Sequence, residues 1–158
     1  MEIEPLRSKY KPSKIKVLFI GESAPAGGAF FYAANSNLFR AMKQALSTRL
    51  GAAPDFLSAF MKAGCYLDDL VLTPVNWHDN AERKRLHREN IPALARRLSQ
   101  YHPEAIVAVM KAISGPVKEA CRQAELTCPF YCVSFPANGR QSDFRREMTD
   151  LIPRLPIA

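Results

Sequence analysis

Four short apolar runs, separated by longer stretches in which apolar residues recur every three or four positions, organise this chain of 158 residues. Residues 14–20 begin with alternating lysines and close on Val17-Leu18-Phe19-Ile20, the pattern of a strand covered on both faces, and Gly21 ends it. Residues 66–72, 105–110 and 130–134 supply three further strands, with Cys132 inside the last as a small buried hydrophobe. Between them the period changes. Over 37–50, Leu38, Phe39, Met42, Ala45, Leu46 and Leu50 form one helical stripe, with Asn35 or Ser36 as its cap and Gly51 as its stop. A short helix is predicted over 54–63, because proline suits a first turn and Gly64 suits the position past the end. Asp79 and Glu82 have capping-box spacing before a basic helix, with Asn80 and Asn76 as rival caps, and Pro92 divides that region from a second helix reaching about Tyr101. Ser114-Gly115-Pro116 opens a helix to about residue 125. Ser142 caps a last one, with Phe144, Met148, Leu151 and Ile152 facing inward. Residues 1–13, with Pro5 and Pro12 and no sustained period, read as an irregular N-terminal arm, leaving 14–158 as one domain.

Strands that alternate with helices must be joined by crossovers, so the fold class is α/β: a three-layer sandwich with a central four-stranded parallel sheet. That topology gathers residues 21–32, 73–78, 111–115 and 135–140 at one carboxyl edge, where open α/β sheets bind ligands.

Charge adds a partner class. The formal net charge is +7 and the pI about 9.4, which favours encounters with polyanions, nucleic acid among them. No run of about eighteen apolar residues is present, and MEIEPLRSKYKPSK lacks the charged-then-apolar order of a secretory signal, so the expectation is a soluble, cytoplasmic protein with no membrane association. The four cysteines, Cys65, Cys121, Cys128 and Cys132, contain no Cys-x-x-Cys pair and read as reduced structural thiols rather than metal ligands.

The loops at the carboxyl edge carry the chemistry. GESAPAGGAFFY (21–32) joins glycines, a carboxylate, a hydroxyl and adjacent aromatics; LTPVNW follows the second strand and SFPANGR the last. In this order and placement the three segments resemble the motifs of the uracil-DNA glycosylase superfamily, and the first is most similar to the Gly-Glu motif of its thermostable bacterial and archaeal branch, without that branch's cluster cysteines. The resemblance spans nearly the whole chain. It implies hydrolysis of the N-glycosidic bond of a flipped, deaminated base such as uracil in DNA, using water and neither metal nor redox cofactor, by a monomer without an obligate protein partner.

Two departures bear on activity. Many members place aspartate or asparagine where this chain has Ser23, and histidine where it has Phe135, which offers no hydrogen bond to the departing base. Glu22 and Ser23 are therefore the catalytic candidates: Glu22 to orient water or balance oxocarbenium charge, Ser23 to hold that water or a phosphate. Glu22 has a second reading, as an anchor for loop amides. Gly21 opens the motif and joins the substrate-binding set. The resemblance assigns base stacking to Phe30 or Phe31, one of the two being left to the core, and exclusion of larger bases to Tyr32. Asn76 is the base reader, since an amide both donates and accepts along a base edge. Asn138, Gly139, Arg140 and Arg145 form the DNA-binding set, with Arg140 foremost and Arg146 beside them. The run Arg83, Lys84, Arg85, His87 and Arg88 reads first as a solvated helix face, and Asp69, inside the second strand, as a tie for a neighbouring loop. The competing functions are a catalytically weak or inactive DNA- or nucleotide-binding module and a small-molecule nucleoside hydrolase.

Overall fold

The protein is described by a computed structural model covering residues 3–51, 55–75 and 78–157. Four strands, β1 (Val17–Gly21), β2 (Cys65–Asp69), β3 (Ala105–Ala108) and β4 (Phe130–Cys132), pair in parallel in the order β2-β1-β3-β4. β1 is central to the register, with Val17 opposite both Cys65 and Ala105 and Gly21 opposite Asp69. Its first four residues are fully buried, as a strand sandwiched between two helical layers must be.

Around the sheet pack α1 (Ile3–Lys9), α2 (Asn37–Leu50), α3 (Phe56–Lys62), α4 (Asn80–Glu89), α5 (Ile91–Tyr101), α6 (Ser114–Gln123) and α7 (Gln141–Leu151). α2 packs on α3 and α7, whereas α5 packs on α4 and α6, giving the outer layers of a three-layer α/β sandwich. Met42 and Leu46 of α2 and Phe144 and Met148 of α7 are buried, which fulfils the helical stripes read from the sequence, and Leu94 and Leu98 of α5 are buried as well. No helix among the described residues is long and apolar enough to cross a membrane.

Local details depart from expectation for identifiable reasons. The arm expected to be irregular contains α1, because β2 is an edge strand whose free backbone groups need cover. Arg7 of α1 donates to Leu67 O at 3.3 Å, and Leu67 N donates to the Tyr32 hydroxyl at 2.7 Å, so one helix and one phenol complete the edge. β2 stops at Asp69 rather than at residue 72, although Leu70 N and Val71 N still donate to Gly21 O and Glu22 O, each at 2.9 Å. β3 and β4 are also shorter than their apolar runs.

Ser36, rather than Asn35, caps α2 by accepting from Phe39 N. Asp55 caps α3, and Pro54, expected in its first turn, lies outside the described residues. Asp79 caps α4, but Glu82 does not close the box, because its carboxylate pairs with Arg85 instead. α7 begins before Ser142, with no side-chain cap.

Candidate functional site

At the carboxyl edge of β1 and β2 lies a cavity of about 350 Å³. Ser23, Ala24 and Pro25 of the first motif form one side, Phe30 and Phe31 another, the first turn of α2 with Arg40 a third, and Leu67, Asp69 and Phe135 the remainder. The motif loop is held in shape by Asn35, whose Oδ1 accepts from Phe30 N at 2.7 Å, and by the left-handed backbone of Gly28 (φ 87°), a conformation glycine adopts without strain. This bond fixes Phe30 against the cavity. Phe31 is pinned from behind by edge contacts to Tyr32 and Phe39 and a tilted contact to Phe60, so the adjacent phenylalanines divide between wall and core while both reach the cavity.

Asp69 contributes a carboxylate to the cavity lining, which also holds Ser23, Asn35, Ser36, Asn37 and Arg40. Opposite Asp69, Gly21 lacks a side chain for a steric reason: a Cβ there would lie 2.7 Å from Asp69 Oδ1. The other oxygen of Asp69 accepts from Arg7 at 3.2 Å, and that guanidinium sits 5.2 Å from the centre of the Phe30 ring. Arg7 is itself only 4% exposed, 3.5 Å from both Asp68 and Glu4. Asp68 is saturated by Arg97 at 2.8 Å, by the Tyr101 hydroxyl at 2.9 Å and by Asp69 N at 2.8 Å, and Arg97 also donates to Asp69 O at 2.6 Å. Burial pushes the Asp69 carboxyl up to about 6 against the pull of Arg7, with Asp68 adding to the rise. Around that pH the group exchanges between an acceptor-only carboxylate and a carboxyl that both donates and accepts.

Glu22 goes elsewhere. Its side chain is absent from the cavity wall and turns to α4, where Arg83 Nε donates at 3.1 Å, a second Arg83 nitrogen pairs with the other oxygen, and His87 Nε2 lies 2.7 Å away. Burial raises its pKa, but hydrogen bonds from His87 and Arg83 outweigh that and hold it below the ordinary carboxylate range. The basic run is accordingly split by helix phase: Arg83 and the buried His87 face the motif loop, while Arg85 pairs with Glu82 and Glu89 on the outside.

Ser23, Phe30, Phe31 and Phe135 are thus brought together, with Gly21 directly beneath Asp69. Tyr32 is buried behind them with its hydroxyl occupied by Leu67 N, and it does not line the cavity. Asn76, the expected base reader, lies outside the described residues together with Trp77. Asn138 and Gly139 form a left-handed pair (φ 55° and 82°) on the surface, and Arg140 shares Asp143 with Arg146 at 3.4 and 3.2 Å. Arg145, one helical step further, borders a neighbouring cavity. The four cysteines are unbridged.

Three residues of the site were missed or underread in the sequence. Asp69 was legible only as a costly carboxylate in a strand; Arg7 lay in an arm without a pattern; Asn35 was weighed as a helix cap. The signal for the first two was the same, a pair of acids in an apolar run, which demands a buried cation from somewhere in the chain.

None of the curated proteins compared with this chain matches it. The sequence pattern of the uracil DNA glycosylase superfamily, however, matches residues 8–147, which takes in every strand and all three motif loops. With a four-stranded parallel sheet and its cavity at the carboxyl edge, the chain belongs to the uracil-DNA glycosylase superfamily.

Proposed function

We propose that this protein is a cytoplasmic, monomeric DNA glycosylase that hydrolyses the N-glycosidic bond of a flipped, deaminated base, with uracil the first substrate. The observation that carries this is the cavity itself, in which a flat ring, Phe30, and a polar wall group, Asp69, belong to one concave site. A base enclosed there stacks on Phe30 and presents its edge to Asp69. In its neutral form Asp69 donates to a carbonyl oxygen of uracil and accepts from the adjacent N–H, the complement that was sought from Asn76.

The bond that breaks joins the sugar C1′ to the base nitrogen, and its electron pair leaves with the base. Water forms the new C1′–O bond and gives up a proton, which the departing base anion takes up, leaving abasic DNA and free base. Ser23 faces the cavity and positions the water, while Glu22 holds the motif loop through α4 and acts on catalysis as a positioning residue. Phe135 supplies an apolar wall in place of a donor to the departing base. The amides of the motif loop and the first turn of α2 are left to stabilise the charge.

A second reading, binding without turnover, has one observation in its favour: Glu22 is committed to Arg83 and His87 and lies off the cavity wall. One experiment separates the two. Single-stranded oligonucleotides carrying uracil, hypoxanthine or xanthine are incubated with the protein and then cleaved at any abasic site. Strand scission with one base supports the glycosylase; tight binding to these oligonucleotides with no scission under single-turnover conditions supports the binding module; release of base from free nucleosides instead points to a nucleoside hydrolase.

A further inference from the structure

Beside the base cavity lies a second one of about 250 Å³, and the two share Asn37 and Arg40 as a common wall. α2 forms one flank, through Arg40 and Gln44, and the packed α7 the other, through Gln141 and Arg145. Its ionisable lining consists of two arginines and no carboxylate. Several other exposed arginines are neutralised by carboxylates: Arg140 and Arg146 share Asp143, Arg122 pairs with Glu119, and Arg85 with Glu82 and Glu89. Among the described residues Arg145 makes no ion pair, and the Arg40 guanidinium donates only to the neutral Asn37 side chain. Two like charges on opposite flanks of one cleft repel each other until an anion enters. Arginine forks with amide donors beside them suit the paired unbridged oxygens of a phosphodiester.

Location restricts the anion further. In a nucleotide the base, sugar and phosphate are covalently continuous, so a ligand whose base rests on Phe30 must carry its phosphate out past the shared wall or away from it. The shared wall is Asn37 and Arg40, and Arg40 carries its charge. We infer that the cleft between Arg40 and Arg145 binds a backbone phosphate flanking the everted nucleotide, so that the DNA strand leaves the base cavity between α2 and α7. This rests on the glycosylase reading for its orientation, and it gives Arg40, which no motif singled out, a place in substrate binding beside Arg145.

The test is fluorescence anisotropy on the intact protein with single-stranded oligonucleotides containing one uracil, either native or with one neutral methylphosphonate linkage immediately 5′ or 3′ of it. Wild type, Arg40→Gln, Arg145→Gln, the double variant and Arg122→Gln as a surface-charge control are compared, with circular dichroism confirming that each is folded. Each cleft substitution is expected to weaken binding about tenfold, the control far less. Each should also lower the salt slope of binding by about 0.7, the single-strand value for one phosphate contact. The methylphosphonate on one flank should cost the wild type a similar factor and the double variant almost nothing. A wild type indifferent to both neutral linkages, or a double variant as sensitive as the wild type, overturns the inference. So does displacement of the oligonucleotide by millimolar inorganic phosphate without any linkage effect, which would make the cleft a site for free phosphate. Absence of uracil excision with the linkage effect intact sinks the glycosylase reading alone; failure of the wild type to bind any oligonucleotide sinks both.

Discussion

Two carboxylates leave the same edge of the sheet, Asp69 at the end of β2 and Glu22 just past the end of β1, and their surroundings differ in kind. Asp69 faces the cavity, has one close cation, Arg7, and has its carboxyl pushed up to about 6 by burial. Glu22 faces α4, has two partners, Arg83 and His87, and is held ionised. The carboxylate that the motif advertises is the one spent on structure, whereas the one inside a strand lines the cavity. Side-chain direction explains the exchange: Gly21 leaves room over β1 that Asp69 fills, and the chain beyond Gly21 directs Glu22 to the helix that follows β2.

The sharpest way to break this contrast is to remove its cation. Arg7→Ala strands Asp69 and weakens the cover of Asp68 in a buried site, and should destabilise the fold by about 3–5 kcal/mol in urea unfolding at pH 7. Arg7→Met combined with Asp69→Asn should recover much of that loss; equal instability of both variants would assign the effect to the packing of α1 instead.

Phe30→Leu keeps an apolar side chain in the wall but removes the flat face. Binding of a uracil-containing oligonucleotide should weaken by about 1–3 kcal/mol, the range for base stacking on an aromatic, with binding of undamaged strand nearly unchanged. Equal losses on both strands would mean that the base does not lie between Phe30 and Asp69.

Glu22→Gln should lower stability by about 1–2 kcal/mol at pH 7 through loss of charge-assisted bonds, while single-turnover excision stays within about tenfold of wild type. Because the folded pKa is depressed, the stabilisation from Glu22 is present above the ordinary carboxylate range and is lost as pH falls through the folded value; the Gln variant should lack that acid-side loss. Abolished excision in a well-folded variant would return Glu22 to the chemistry.

The smallest effect is a pH step at Asp69. Its raised pKa means that the neutral form is favoured in the folded protein, so its contribution to stability is complete below the ordinary aspartate range and is lost as pH rises towards and through about 6. Uracil binding should decline across the same window as Asp69 loses its proton in the field of Arg7, Asp68 and Arg97, and Asp69→Asn should flatten the profile. A step of unchanged size in the Asn variant would show that another group titrates.

The outcome for individual residues marks where sequence reasoning reaches. The four apolar runs and the stripes of α2 and α7 were legible because burial of a strand or a helix face imposes a repeat of two or of three to four on the chain itself. The motif loops were placed at the right edge because parallel connectivity leaves few alternatives. Asn35 was misjudged between two local roles, since a cap and a loop tie use the same amide. The division of Arg83 and His87 from Arg85 follows helix phase, yet nothing in the run says which phase meets Glu22.

By itself, then, the amino-acid order determined the α/β class, the strand count and the edge at which ligand chemistry collects, because these follow from local periodicity and short connections. Only the tertiary structure decided that Arg7 reaches across 62 positions to Asp69, that Glu22 is turned away from the cavity, and that Arg40 and Arg145 face one cleft. Those are pairings between residues distant in the chain, selected by the cost of burying a charge and by which side chains the packed layers point at one another, and no local pattern encodes them.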